Sequence, residues 1–260
     1  MVPVSFMVSS GILHLPMGTG WCRTDRLASR PTVIEREVIM RIGVLGAGNM
    51  ADALAGKWAR AGHDVRIGAR TPAKAVALAD RIGHGAAGGT LREAARHGDA
   101  VLLAVWHEGV PDVLRAAGPL DGRVLIDCTN PMEPPFERLK TAGGPSAARR
   151  VADATGARVV KAFNLCHESV WRMEPPEFGG RPLGVPLCGD DAEAVAAVRG
   201  LVADAGCVPM DGGGLARAGL LEAAAAFVVG LWAAGEDPAA MLPPPAHAGG
   251  APRRTSINEG

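Results

Sequence analysis

The 260-residue chain contains no tyrosine. Every mechanism that relies on a phenol as acid, base or nucleophile is thereby excluded. Lysine is scarce, with four residues against 23 arginines, and the 27 basic residues balance 27 acidic ones. A chain with no net charge gives no electrostatic reason to expect nucleic acid or an anionic membrane surface as partner. The five cysteines, at 22, 128, 166, 188 and 207, include no Cys-x-x-Cys pair, and no Cys/His cluster has zinc-ligand spacing. They read as small buried hydrophobes in a cytoplasmic protein, and no metal is expected.

What is present is an ordinary globular composition, 48% hydrophobic and 21% charged. Residues 1–39 are irregular and broken by prolines and glycines, and they lack the basic start of a secretory signal. Met40 stands directly before an apolar run, so 1–39 is expected to be a non-native or disordered extension. Residues 236–260 are rich in Pro, Gly and Ala and are expected to form a disordered tail.

Between the two ends, strand and helix patterns alternate. Strands are predicted at Arg41–Leu45, Asp64–Ala69, Gly85–Gly88, Ala100–Val105, Val124–Asp127, Ala157–Ala162, Gly184–Cys188 and Cys207–Met210. Helices are predicted between them, with Thr71, Thr90, Asp190 and Asp191 as N-cap candidates. The gaps suit helical crossovers, so the fold class is α/β: a Rossmann-type, doubly wound, mostly parallel sheet with a small C-terminal extension of strands and helices. Residues 40–155 are assigned to the dinucleotide-binding domain and 156–235 to a part that completes the sheet and the substrate cleft. The last helix, Leu215–Ala234, carries only Arg217 and Glu222 as charges. It reads as a dimer-interface or core helix rather than a membrane span, which makes the chain a homodimer with no membrane partner.

Gly46-Ala47-Gly48-Asn49-Met50-Ala51 is a G-x-G-x-x-A run placed where a strand ends and a helix begins. The first glycine allows a tight turn, the second lets the backbone approach a pyrophosphate, and the helix N-terminus stabilises its charge. The second strand ends in Gly68-Ala69-Arg70-Thr71 with no acidic residue. A carboxylate there would repel a ribose 2′-phosphate, whereas Arg70, Thr71 and Lys74 can bind it. NADP(H) is therefore the expected cofactor.

Six segments together resemble the NADPH-dependent coenzyme F420 reductases, the deazaflavin:NADP oxidoreductases. They are Met40–Met50, Ile67–Arg70, Asp127-Cys128-Thr129-Asn130-Pro131, Val159–Asn164, Cys188–Asp191 and Asp211–Leu215. The resemblance implies hydride transfer between NADPH and a deazaflavin, coenzyme F420, as a small-molecule second substrate. It implies that Gly46, Ala47, Gly48, Asn49 and Met50 contact the pyrophosphate, and Ala69, Arg70 and Lys74 the 2′-phosphate. Val105, Trp106 and His107 would flank the nicotinamide. Asn130, Pro131, Asn164, Leu165, Cys166 and His167 would face the second substrate. The chain departs from the usual pattern at Ala69, often Ser, at Trp106-His107, commonly Pro-Trp, and at Leu165-Cys166-His167. Hydride transfer between two rings needs geometry more than side-chain chemistry. Were the acceptor a small carbonyl or imine, a proton donor would be needed, and His107, His167, Asp127 and Cys166 are the candidates. Asp127 reads first as a strand-end cap. A non-catalytic NADPH sensor is the third reading the glycine loop permits.

Overall fold

The computed structural model describes residues 39–135, 138–238 and 241. Nearly all of residues 1–39 and of the 236–260 tail therefore lie outside the described residues. Short β-branched and aliphatic runs closed by glycine or polar residues produce the first half of the fold: β1 (Arg41–Leu45), α1 (Asn49–Arg60), β2 (Asp64–Ala69), α2 (Pro72–Ile82), β3 (Ala87–Thr90), α3 (Leu91–His97) and β4 (Ala100–Leu103). Then come α4 (Val110–Ala117), β5 (Val124–Asp127), α5 (Ala147–Thr155), β6 (Arg158–Lys161), α6 (Glu168–Trp171), β7 (Glu177–Phe178), β8 (Arg181–Pro182), β9 (Gly184–Gly189), α7 (Ala192–Asp204), β10 (Val208–Asp211) and α8 (Ala218–Ala233).

The main sheet has the order β10-β9-β6-β5-β4-β1-β2-β3. From β3 to β6 every pair is parallel, β9 runs antiparallel to β6, and β10 is parallel to β9. Strand order reverses between β1 and β4, the place where doubly wound sheets open a ligand crevice. Register aligns the carboxyl ends there: Leu45 faces Leu103, Leu103 faces Asp127, and Asp127 faces Lys161. Helices cover both faces, so all four residues of β4 and of β5 are buried. The boundary expected after residue 155 falls between α5 and β6, within this one sheet.

Two predicted strands are corrected, and one segment gains elements that were not predicted. The third strand lies at Ala87–Thr90 rather than Gly85–Gly88, because Gly83 and Gly85 take positive φ in the turn before it. The fourth ends at Leu103. The segment between Asn164 and Gly184 holds α6 and the β7–β8 hairpin, which have no periodic signature. β9 returns antiparallel to β6 after this segment.

Lys161, at the end of β6, is wholly buried with Asp127 and Glu222. Its ammonium donates to Asp127 Oδ2 (3.0 Å) and to the Thr129 carbonyl, and meets Glu222 Oε1 at 3.1 Å. Burial alone would lower its pKa; the carboxylates of Asp127 and Glu222 outweigh that and hold it above the ordinary lysine value. Glu222 also accepts from the Ala147 and Ala148 amides at the start of α5 (3.0 and 3.2 Å). One charge cluster thus joins β5, β6, α5 and α8. Asp127 Oδ1 accepts from the Thr129 amide at 2.8 Å, so Asp127 is the strand-end cap.

α8 packs through Ala218, Glu222, Ala225 and Ala226, while Leu220, Phe227 and Trp232 are exposed. The stretch Leu215–Ala233 is long and apolar enough to cross a membrane by length and composition. Its outward face is not covered by the described residues.

Replacing Lys161 by Met would leave two buried carboxylates without their cation. Urea unfolding should show a loss of roughly 3–5 kcal/mol.

Candidate active site

The carboxyl ends of β1, β4, β5 and β6 open into a cleft of about 830 Å³. Its first wall is the glycine loop. Gly46 has φ +129°, donates its amide to the Gly68 carbonyl at 2.8 Å, and lies where a Cβ would come within 2.2 Å of the Ala104 carbonyl oxygen. Gly48 is the N-cap of α1 and gives no side-chain cap, and nothing lies within 4 Å of the position its Cβ would take. The first amides of α1 therefore face open space at the positive end of a helix, the arrangement that suits a pyrophosphate.

The second wall is the end of β2. Arg70, Thr71 and Lys74 line the cleft, exposed, and the side chains of Arg70 and Lys74 have no hydrogen-bond or ion-pair partner among the described residues. Thr71 is the N-cap of α2 but its hydroxyl makes no cap bond. Two free cations and a second uncapped helix start can receive a second phosphate, and no carboxylate in this segment opposes it. These observations fit NADP(H).

The third wall belongs to the loops after β4, β5 and β6. Trp106 is 86% exposed at the rim. His107 is half-buried; burial pushes its pKa below the ordinary histidine value, against the pull of Glu108, Asp127 and Glu222. It is accordingly neutral at pH 7. Cys128 and Cys166 also line the cleft, and burial pushes their thiols up to about 12 and about 11. Asn130 and Asn164 bind each other: Asn164 Nδ2 donates to Asn130 Oδ1 (2.9 Å) and to the Leu221 carbonyl of α8 (3.1 Å), and Asn130 Nδ2 donates to the Asn164 carbonyl (2.8 Å). Phe163, just before, takes φ +61° and is gripped edge-on by Trp58 and Trp171, with centroids 5.9 and 5.4 Å away. That grip fixes where β6 delivers Asn164.

His167 is the N-cap of α6. Its Nδ1 accepts from the Ser169 amide, and its Nε2 meets Glu168 Oε2 at 2.9 Å. Both ring nitrogens are thus engaged, and Glu168 in turn accepts from Asn49 Nδ2 of the glycine loop at 2.9 Å. Arg172 bonds Asp52 of α1 across the same seam.

The cleft gathers Gly46, Ala47, Gly48, Asn49, Met50, Ala69, Arg70, Thr71, Lys74, Val105, Trp106 and His107, and with them Asn130, Asn164, Cys166 and His167. Pro131 and Leu165 are not among its lining residues; Pro131 is buried and its carbonyl accepts from Lys140 in the loop. Sequence reasoning missed Thr129 and Glu168. Thr129 stood within the Asp127–Pro131 motif, where the cap reading fell on Asp127 and none on the hydroxyl. Glu168 follows an aperiodic stretch with no signal at all.

Residues 41–131 match the family described as NADP oxidoreductase, coenzyme F420-dependent. The metalloreductase STEAP3 of Rattus norvegicus is 32% identical over 185 residues, which is 70% of this chain and 36% of the relative. The chain thus spans about a third of that protein's length. A candidate F420-dependent NADP reductase from Arthrobacter sp. FB24 is similar in structure, with a TM-score of 0.68, 27% identity, and 76% of this chain and 96% of that one covered. A reductive aminase from Aspergillus terreus, 23% identical with a TM-score of 0.55 over 76% of this chain and 62% of its own, shares the fold.

Ala in place of Gly46 would force φ +129° on a residue with a Cβ against the Ala104 carbonyl. The backbone strain alone should cost roughly 1–3 kcal/mol. Calorimetry should show the lowered melting point, and titration the loss of dinucleotide binding. Its glycine loop, its switch-point cleft and these matches make residues 41–131 of the chain similar to the NADP oxidoreductases described as coenzyme F420-dependent.

Proposed function

We propose that the protein catalyses hydride transfer between NADPH and a deazaflavin of the coenzyme F420 type. One observation carries the choice of acceptor. Of the side chains that could donate a proton to a carbonyl or imine, all but His107 are engaged or unsuited to it. Asp127 is locked to Lys161 and the Thr129 amide. Both nitrogens of His167 are bound. The thiols of Cys128 and Cys166, at about 12 and about 11, are weak acids. A reaction that moves a hydride from ring carbon to ring carbon needs no such donor. The second proton of the reduced deazaflavin goes onto a ring nitrogen and comes from water.

When bound, NADPH supplies the hydride. The chain's own residues hold and orient. The α1 amides and Gly48 receive the pyrophosphate, while Arg70 and Lys74 receive the 2′-phosphate. Trp106 offers a flat apolar face at the rim to a planar ring. The strand ends would hold the two rings face to face, where hydride transfer needs a separation of about 3–3.5 Å. A homodimer belongs to the same reading, since Leu220, Phe227 and Trp232 give α8 an apolar face that a second copy would cover. So does a cytoplasmic setting, which suits the unpaired thiols of Cys128, Cys166, Cys188 and Cys207.

The second reading, an NADPH-dependent reductase of a small carbonyl or imine, rests on His107, whose buried Nδ1 has no partner among the described residues. Mixing the protein with NADPH and oxidised deazaflavin decides between them. Bleaching of the deazaflavin absorbance is expected; turnover of imines or ketones with no bleaching would favour the second reading. Arg70→Glu should raise KM for NADPH far more than KM for NADH in the same assay. An equal effect on both would overturn the 2′-phosphate assignment.

A further inference from the structure

Five buried side-chain polar atoms lack a hydrogen-bond partner among the described residues, and three of them belong to cleft residues: His107 Nδ1, Thr129 Oγ1 and Asn164 Oδ1. Thr129 is 3% exposed and Asn164 5%. Buried polar groups are normally satisfied, so unsatisfied ones on three residues of one cleft mark a place where a ligand or an ordered water completes the bonding. The three residues follow β4, β5 and β6, three adjacent strands whose ends are in register.

The direction of the Asn164 amide is settled by its partners. Its Nδ2 faces the Leu221 carbonyl and Asn130 Oδ1, both acceptors. Turning the amide over would set oxygen against oxygen. Asn130 cannot compensate, because its own Nδ2 is committed to the Asn164 carbonyl. Asn164 Oδ1 is therefore a pure acceptor that calls for an N–H. The Thr129 hydroxyl can donate or accept, and the neutral His107 ring can do either according to its tautomer. The Thr129 backbone is already used, its amide by Asp127 and its carbonyl by Lys161, which leaves the hydroxyl alone for a ligand.

We propose that Asn164, Thr129 and His107 form a polar reader for the lactam edge of the second substrate, an N–H flanked by a carbonyl on a planar heterocycle. Asn164 Oδ1 accepts from the ring N–H, and Thr129 or His107 donates to the neighbouring carbonyl. This reading rests on the hydride-transfer assignment for the identity of the second substrate, and it deepens that assignment by naming the edge recognised. The reader is a specificity device: it lies at the strand ends beyond the glycine loop and takes no part in holding the phosphates. A heterocycle without the N–H would leave the Asn164 oxygen unpaired in the complex, which is the strongest form of rejection a buried polar group provides.

The test uses the full chain, oxidised deazaflavin and its N3-methyl derivative, which lacks the ring N–H. Each is titrated into protein saturated with NADP⁺, with tryptophan fluorescence as the readout. The N–H compound should bind at least about tenfold more tightly. Equal affinities, or no binding of either, would overturn the reader. Turnover with NADPH is measured separately. Absence of turnover would refute the hydride-transfer assignment, while the binding preference would still decide for or against the reader. Thr129→Val is the matching change in the protein, since it removes only an unsatisfied hydroxyl. It should raise the melting temperature by about 2–4 °C, raise KM for the deazaflavin several-fold and leave the NADPH dissociation constant unchanged. A change in NADPH affinity equal to that for the deazaflavin would place the hydroxyl on the cofactor and overturn the proposal.

Discussion

Lys161 is wholly buried, so its charge survives only because Asp127, Glu222 and the Thr129 carbonyl surround it. Its three N–H groups meet three acceptors, which is what a buried ammonium requires. The cluster does more than neutralise itself. Through Asp127 it sets the turn that presents Thr129, Asn130 and the cleft floor. Through Glu222 it ties the start of α5 to α8, and α8 then lends the Leu221 carbonyl that orients Asn164. The geometry of the substrate side is therefore set by a charge cluster below it.

The cofactor side is held differently. Its glycine loop is anchored through the Gly46 amide, and α1 is pinned beneath it by Trp58, whose indole donates to the Leu201 carbonyl. The two sides meet at α6. There Glu168 accepts from Asn49, Arg172 bonds Asp52, and Trp171 closes on Phe163. A shift of the glycine loop is thus felt at His167, and the reverse.

What the sequence reveals and what it hides divide along physical lines. The glycine loop and Arg70 were legible because their chemistry is local: a tight turn, a helix start and a missing carboxylate all lie within a few residues. The alternation of strands and helices was legible because buried parallel strands are continuous apolar runs, as in Ala100–Leu103. The Lys161 cluster was not, since Asp127, Lys161 and Glu222 are far apart in the chain and each taken singly looks like an ordinary charge. Glu222 even read as one of two charges on an otherwise apolar helix. The segment from Asn164 to Gly184 was illegible because its order comes from tertiary contacts, the Phe163 stacking and the α6–α1 bonds, and not from periodicity. The orphaned hydroxyl of Thr129 could be found only with the structure in hand.

The reversal of β9 has a consequence for how such a cleft can diversify. In a parallel sheet every strand delivers its following loop to the same edge. β9 runs the other way, so the segment leaving it at Gly189 departs from the opposite edge, and β10 follows it. Only the loops after β4, β5 and β6 remain to shape the acceptor side. Acceptor choice is therefore confined to three short stretches of chain, while the phosphate-binding half stands on β1 and β2. New acceptors can be accommodated by editing the stretches after β4 and β5, whereas changes around α6 also reach Asn49 and Asp52 on the cofactor side, a division that the turn of a single strand imposes.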